Sequence, residues 1–322
     1  IARGDKWPFP RFLGSERGGH YAIHFLAYSA LAAIPFGILD GLGAPPFKAF
    51  QFVNMAALTI LVLALYRFSR SVRRTVFATL LFLLSGGLLY SNWCSPEFMT
   101  ASALLAALVY TILGRPYLAA LLAGVAAMQN PPLVFFSVFA PLIRIAYVRA
   151  DEGLAWPAAF RRVLTRHTVF ASILQAGLAA LPAAYNYHVW GVPSIIAVLS
   201  TYPPFITPAR LVSFYFDLNQ GMIVAFPVVM LLVVFQLFAR GGRRWLPHTL
   251  LALLFSLALA IPSLSTVNWN SGASGVMRYA FWGAMPLLYL ALGWMQRAPR
   301  WPLALLLAML LVQAGMVKYA RS

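Results

Sequence analysis

Long apolar runs, separated by connectors whose basic content alternates sharply, constrain this 322-residue chain more than any other feature. From Phe50 onward the sequence reads as ten apolar segments of roughly 15–20 residues, the length that carries a helix across a bilayer. They are 50–66, 75–91, 97–113, 117–130, 133–147, 169–187, 221–238, 249–264, 279–295 and 302–317. One set of connectors and span ends holds Arg67, Arg70, Arg73, Arg74, Arg115, Arg144, Arg149, Arg161, Arg162, Arg166, Arg240, Arg243, Arg244, Arg297 and Arg300. The alternate set holds only Arg210 and Arg278. Fifteen against two is a strong positive-inside signature, so the chain reads as an all-α, polytopic transmembrane helical bundle. Glu97 and Asp217 then face out, and Asp151 and Glu152 face in.

This topology also settles what the net charge of +17 means. In a soluble protein such a charge suggests nucleic acid, but here it sits in short inner loops, where topology and anionic headgroups account for it. Membrane lipids are the expected partners, and nucleic acid is not. The single cysteine, Cys94, excludes an internal disulfide and any multi-cysteine metal site. Trp93, Trp190, Trp245, Trp269 and Trp301 fall at or near span ends, as interfacial belts require. Nothing in the first 20 residues resembles a signal peptide.

Two regions stand apart, residues 1–49 and the membrane domain 50–322. Segment 22–42 is apolar enough to span, which would place Arg3, Lys6, Arg11 and Arg17 inside as the charge rule prefers. Pro35, Gly37, Asp40 and Gly41 weaken it as a simple span, and a helix lying along the outer surface is the alternative. Asn130-Pro131-Pro132 reads as a helix start, with Asn as the N-cap. Stretch 148–168 sets Trp156, Phe160, Val163 and Leu164 beside Arg161, Arg162 and Arg166, an amphipathic helix on the inner leaflet. Outer loop 188–220 is aromatic and proline-rich, too apolar for a solvated linker, so it is expected at the interface or over a cavity. No internal repeat is visible.

Candidate chemistry gathers on the outer side. Glu97, at the mouth of a span, is costly unless paired or facing water, which makes it a site candidate; the plainer reading is an acid favoured by the helix dipole. Asp217 is a second outer acid, or a helix cap. Arg278 follows the small residues of Asn270-Ser271-Gly272-Ala273-Ser274-Gly275, and an arginine there suits bidentate phosphate binding. Arg210 is the other outer arginine. His20 and His24 share a helix face at i, i+4, but no third ligand accompanies them and no metal site is expected. Asp5, Lys6 and Glu16 lie on a segment whose side is open. No DxD pair, P-loop, GxSxG or paired-carboxylate motif is present.

Several short motifs, in order over nearly the whole chain, carry a resemblance. They are His24-Phe25-Leu26-Ala27-Tyr28-Ser29 with Pro35, Ala49-Phe50-Gln51-Phe52-Val53-Asn54, Ser95-Pro96-Glu97 and Gln129-Asn130-Pro131-Pro132. Tyr185-Asn186-Tyr187, Asp217 to Gly221 and Gly275 to Tyr279 complete the series, the last leading into Pro286-Leu287-Leu288. In these the chain resembles the bacterial GT-C glycosyltransferases, polytopic inner-membrane enzymes that use polyprenyl-phosphate-linked sugars as donors. The resemblance implies a GT-C-like bundle of about ten spans, with 1–49 in a large first outer loop and helix 22–42 on the membrane surface. By that resemblance the family's first span precedes Ile1, and the catalytic acid is expected either there or among the loop acids Asp5 and Glu16, which sit in no matching motif.

The expected activity is inverting sugar transfer at the outer face. Glu97 or a loop acid (Asp5 or Glu16) would take the acceptor's proton. Arg278, helped by Arg210 or Lys6, would stabilise the phosphate leaving group. His20, His24, Asp217 and Asn270 are further substrate-binding candidates, and no motif requires a metal or other cofactor. The competing reading is a non-catalytic subunit that keeps the architecture and serves a protein partner in a larger complex. A transporter, which predicts internal repeats and mid-span charges, fits less well. The topology is tested in a Cys94→Ser background by labelling intact cells with a membrane-impermeant maleimide. Pro193→Cys is expected to react, and Ala155→Cys to react only after the membrane is opened.

Overall fold

The computed structural model describes residues 12–14, 18, 20–22, 24–92, 94–238, 242–268, 276–297 and 303–321. Apolar runs do become helices, and nearly every described residue after Leu26 belongs to one or to a short connector. The exception to an all-α reading is a small antiparallel hairpin before them. Strand β1 (Phe12–Gly14) pairs with β2 (His20–Ala22) in the register Phe12 to Ala22 and Gly14 to His20. This corrects the expectation that His20 and His24 share a helix face, since His20 is on a strand and His24 lies outside any helix.

Helix α1 (Ala27–Gly41) has 15 residues, about 22 Å at 1.5 Å per residue, short of a hydrocarbon core of about 30 Å. Tyr28 and Ala32 of α1 are buried with Ala49, Val53 and Ala57 of α2 (Ala49–Ser69) and with Met99. Leu31, Ile34 and Ile38 are exposed on the same helix.

α3 (Val72–Phe82) and α4 (Leu88–Ser91) are one hydrophobic run broken at Ser85 and Gly86. Gly86 has φ +100°, and a Cβ there would stand 3.0 Å from the Phe281 ring, so both backbone and space require glycine. Next comes α5 (Glu97–Ile112), in which every residue is buried. A helix apolar on all sides belongs at the centre of its bundle, and α5 is there. α6 (Pro116–Gln129) packs on it through Ala119, Ala123, Ala126 and Ala127.

A short turn at Pro131–Phe135 leads into α7 (Phe136–Glu152). Asn130 precedes it but does not cap it through its side chain, which donates instead to Thr100 Oγ1 at 2.8 Å. The amphipathic inner stretch is narrower than expected. α7 runs on to Glu152, and α8 (Trp156–Val163) spans eight residues, burying Ala159 and Val163 against α7. Trp156 and Phe160 of α8 remain partly exposed, as a helix on a membrane surface requires.

α9 (Arg166–Trp190) crosses beside α6 so closely that a Cβ on Gly124 would fall 2.4 Å from Leu178 Cδ1. Outer loop 188–220 is ordered rather than open. α9 continues into it, followed by α10 (Ile195–Ser200) and α11 (Pro208–Phe216). Segment 221–238 is split by Phe226 into α12 (Met222–Ala225) and α13 (Pro227–Phe238). α14 (Gly242–Leu264) precedes a second split run, α15 (Arg278–Gly283) and α16 (Met285–Arg297), and α17 (Leu303–Arg321) ends the described chain.

The buried faces of α15 and α16 join α5 in one continuous core. Outside it, Phe52, Met55 and Leu63 on α2, Phe170 and Ile173 on α9, Phe235 on α13 and Leu311 on α17 project apolar surface. Water-facing helices do not carry such a belt; lipid-facing ones do. Among the described residues five helical stretches are long and apolar enough to cross a membrane, and the protein is a multi-pass membrane protein. They are Pro46–Ser69, Val72–Ser91, Pro131–Glu152, Arg166–Trp190 and Arg243–Leu264.

Close packing of α6 on α9 generates a test. Gly124→Val drives a branched side chain into Leu178 of α9, and such overpacking costs about 1–3 kcal/mol. A lowered thermal midpoint in detergent is the expected result, with Gly177→Ala, at an open position inside α9, not lowering it.

Candidate functional site

At the end of the bundle away from the arginine-rich connectors, the chain buries a carboxyl group. Glu97 is the first residue of α5, and only 3% of its surface is exposed. Its position is consistent with the helix dipole, which favours an acid in the first turn. Pro96 occupies the N-cap, where it offers no capping side chain.

Arg278, the first residue of α15, is the basic group whose field reaches Glu97. Its Nη2 donates to Tyr279 Oη at 2.5 Å, and its guanidinium carbon lies 4.6 Å from the centre of the Tyr279 ring. Trp282 is four residues on, hence on the same face of α15, and its indole N–H comes close to Glu97 without completing a hydrogen bond. Glu97 Oε2, Arg278 Nε and Trp282 Nε1 are all buried and have no hydrogen-bond partner among the described residues. Buried polar atoms are ordinarily satisfied, so three unmatched ones in one cluster mark a place where a further polar group is wanted.

Aromatic packing fixes this arrangement. Tyr90 donates to Val276 O at 2.7 Å, and its ring stacks on Phe281 at 4.9 Å with 12° between the planes. Met277 N donates to Gln220 O at 2.8 Å. The start of α15 is thereby tied both to the broken α3–α4 run and to the loop before α12.

A second polar network lies against the same end of α5. Tyr28 N donates to Gln129 Oε1 at 3.0 Å, and Tyr28 Oη donates to Asn54 Oδ1 at 3.0 Å. Asn54 Nδ2 continues to Ser91 O at 2.9 Å. Motifs more than a hundred residues apart in sequence, around Tyr28 and around Gln129, thus meet directly.

The other sequence candidates divide. Asp217 folds its own turn: Oδ1 accepts from Asn219 N at 2.7 Å and Gln220 N at 3.3 Å, and Oδ2 accepts from Ser213 Oγ. It acts as an Asx turn rather than as a helix cap, and it shapes the loop whose Gln220 holds Met277. Asn186 likewise bonds backbone, at Pro182 O and Ile195 N.

Arg210 donates to Thr266 O at 3.0 Å and lies over Phe205 at 4.7 Å, joining two outer loops. Partial burial draws its pKa below the ordinary arginine value, and the side chain remains a cation. His24 is exposed at the end of the hairpin. His20 contributes backbone pairing to β2, and its side chain is outside the described residues. Asp5, Lys6, Glu16 and Asn270 also lie outside them. Among the described residues no three His, Cys, Asp or Glu side chains gather.

Sequence reading missed Tyr90, Trp282 and Thr100. For Trp282 the signal was available, since it follows Arg278 by four residues. Tyr90 and Thr100 carry no local mark.

No protein-family model, no curated protein and no solved structure matches the chain.

The bond from Asn130 to Thr100 ties the outer end of α6 to α5. Asn130→Ala and Thr100→Ala are each expected to lower stability, with a coupling energy of about 1 kcal/mol in a double-mutant cycle read by chemical denaturation. Additive effects would show that the bond contributes nothing.

Proposed function

We propose that the protein is a membrane glycosyltransferase that moves a sugar from a polyprenyl-phosphate donor to an acceptor hydroxyl at its outer face. The observation that carries the reading is the buried, incompletely satisfied Glu97 within the field of Arg278, with Trp282 on the same face of α15 as that arginine. In this reading the acceptor oxygen attacks the anomeric carbon as the bond from that carbon to the phosphate oxygen breaks, inverting the centre. Glu97 takes the hydroxyl proton. The departing phosphate gains charge, and Arg278 stabilises it in a site from which water is excluded. The aromatic loop containing α10 and α11 supplies apolar wall for the prenyl chain. GT-C architecture, a bacterial inner-membrane location and a polyprenyl-phosphate substrate belong to this proposal as a whole.

A second reading has its own support. Glu97 is nearly sealed from solvent, as a structural carboxyl in a non-catalytic subunit would be. Such a subunit co-purifies with a stoichiometric protein partner and transfers no sugar when reconstituted alone.

Transfer from a panel of polyprenyl-phosphate sugars, measured with the full chain in lipid vesicles, separates the two. Under the transferase reading Arg278→Ala lowers turnover by about 10²–10³-fold. Glu97→Gln, which keeps shape and loses the base, lowers it by about 10²–10⁴-fold. Undiminished transfer by both variants removes these residues from the chemistry.

A further inference from the structure

The arginine-rich end of the bundle carries an open cavity of about 510 Å³ that the outer cluster does not use. It lies among the last turn of α5, the first turns of α6 and α9, and the adjoining parts of α7 and α8. Arg115, Arg144 and Arg162 line it. Arg144 and Arg162 repel one another as like charges, and neither side chain hydrogen-bonds to another described residue. Glu152 lies within the field of Arg144 but is exposed at the end of α7. Cations converging on one cavity without a bonded acid create a site for an anion.

Depth and lining narrow the choice of anion. Arg144 is eight residues from the end of α7, about 12 Å along the helix. Gln175 is nine residues from the start of α9, about 14 Å, so the two sit at comparable depth. Gln175 is fully buried and lines the cavity; its Nε2 donates to Leu133 O, while its Oε1 has no donor among the described residues. Phe136 and Ala140 supply apolar wall beside these groups. A phosphate matches the guanidinium of Arg144, and a nearby hydroxyl matches the vacant acceptor of Gln175.

We infer that this cavity binds a phosphate ester bearing a hydroxylated headgroup, at the membrane face opposite the proposed transfer site. The source is either an anionic lipid of that leaflet or a soluble phosphate ester. This site is independent of the transferase reading, and neither depends on the other.

The full chain in neutral detergent is titrated calorimetrically with dihexanoyl phosphatidylglycerol, dihexanoyl phosphatidylcholine and glycerol 3-phosphate. Phosphatidylglycerol is expected to bind saturably and at least tenfold more tightly than phosphatidylcholine. Arg144→Gln is expected to weaken it at least tenfold, and Gln175→Leu at least threefold. Glycerol 3-phosphate binding as tightly as the lipid assigns the site to a soluble ester; much weaker binding assigns it to the membrane. If Arg144→Gln does not elute as a monodisperse species, Arg162→Gln, on an exposed position of α8, takes its place with the same expectation. Equal affinity for the two lipids, no saturable binding, or affinity unchanged by the arginine substitution overturns the inference.

Discussion

The complete burial of α5 is the constraint on which the rest of the structure depends. A 16-residue helix with no face left for lipid or water needs neighbours on every side, and α2, α6, α7, α15 and α16 provide them. Because lipid is as apolar as leucine, the hydrophobic effect does not drive those contacts; close fit does. Alanines on α6 permit that fit on one side, while the aromatic stack of Phe82, Tyr90 and Phe281 fills the other. Burial of α5 also explains why its first residue is notable. Glu97 is carried inward by the helix, and a carboxyl so placed needs compensation that the described residues supply only in part.

Broken helices serve the same end. The run 72–91 departs from regular geometry at Ser85 and Gly86, and 278–297 is divided into α15 and α16 at Ala284. Gly86 accommodates Phe281, Phe281 stacks on Tyr90, and Tyr90 holds Val276 two residues before Arg278. The start of α15, and with it Arg278, is therefore positioned by the break at Gly86 and the aromatic contacts beside it.

Charge distribution divides the molecule into two ends with different work. At one end a few ionisable groups are buried and ordered by aromatic rings. At the other, arginines serve topology, and several are also engaged structurally: Arg67 bonds Tyr110 Oη, Arg74 bonds Gln296, and Arg149 covers Trp156. Arg144 likewise lies over a ring, 5.9 Å from the centre of Tyr147, and it has a further feature. It is the deepest of them and faces a cavity, which is why positive-inside statistics do not account for it fully.

Apolar run length and arginine spacing determined that the chain is helical, that it crosses a membrane repeatedly and where most helices begin and end. Those properties follow from local hydropathy, and α2, α5, α6 and α9 lie within a few residues of the segments read from sequence. At 15 residues α1 falls, with α5 and α6, among the shorter apolar helices rather than the five long stretches. The hairpin at Phe12–Ala22, the side-chain bond that Asn130 makes instead of a cap, and the turn built by Asp217 were decided by partners distant in sequence or by local loop geometry that composition does not encode. Glu97 and Arg278 were each legible as rare outer charges. Their convergence was not, because 180 residues separate them and only the stacking of α15 on α5 brings them within each other's field.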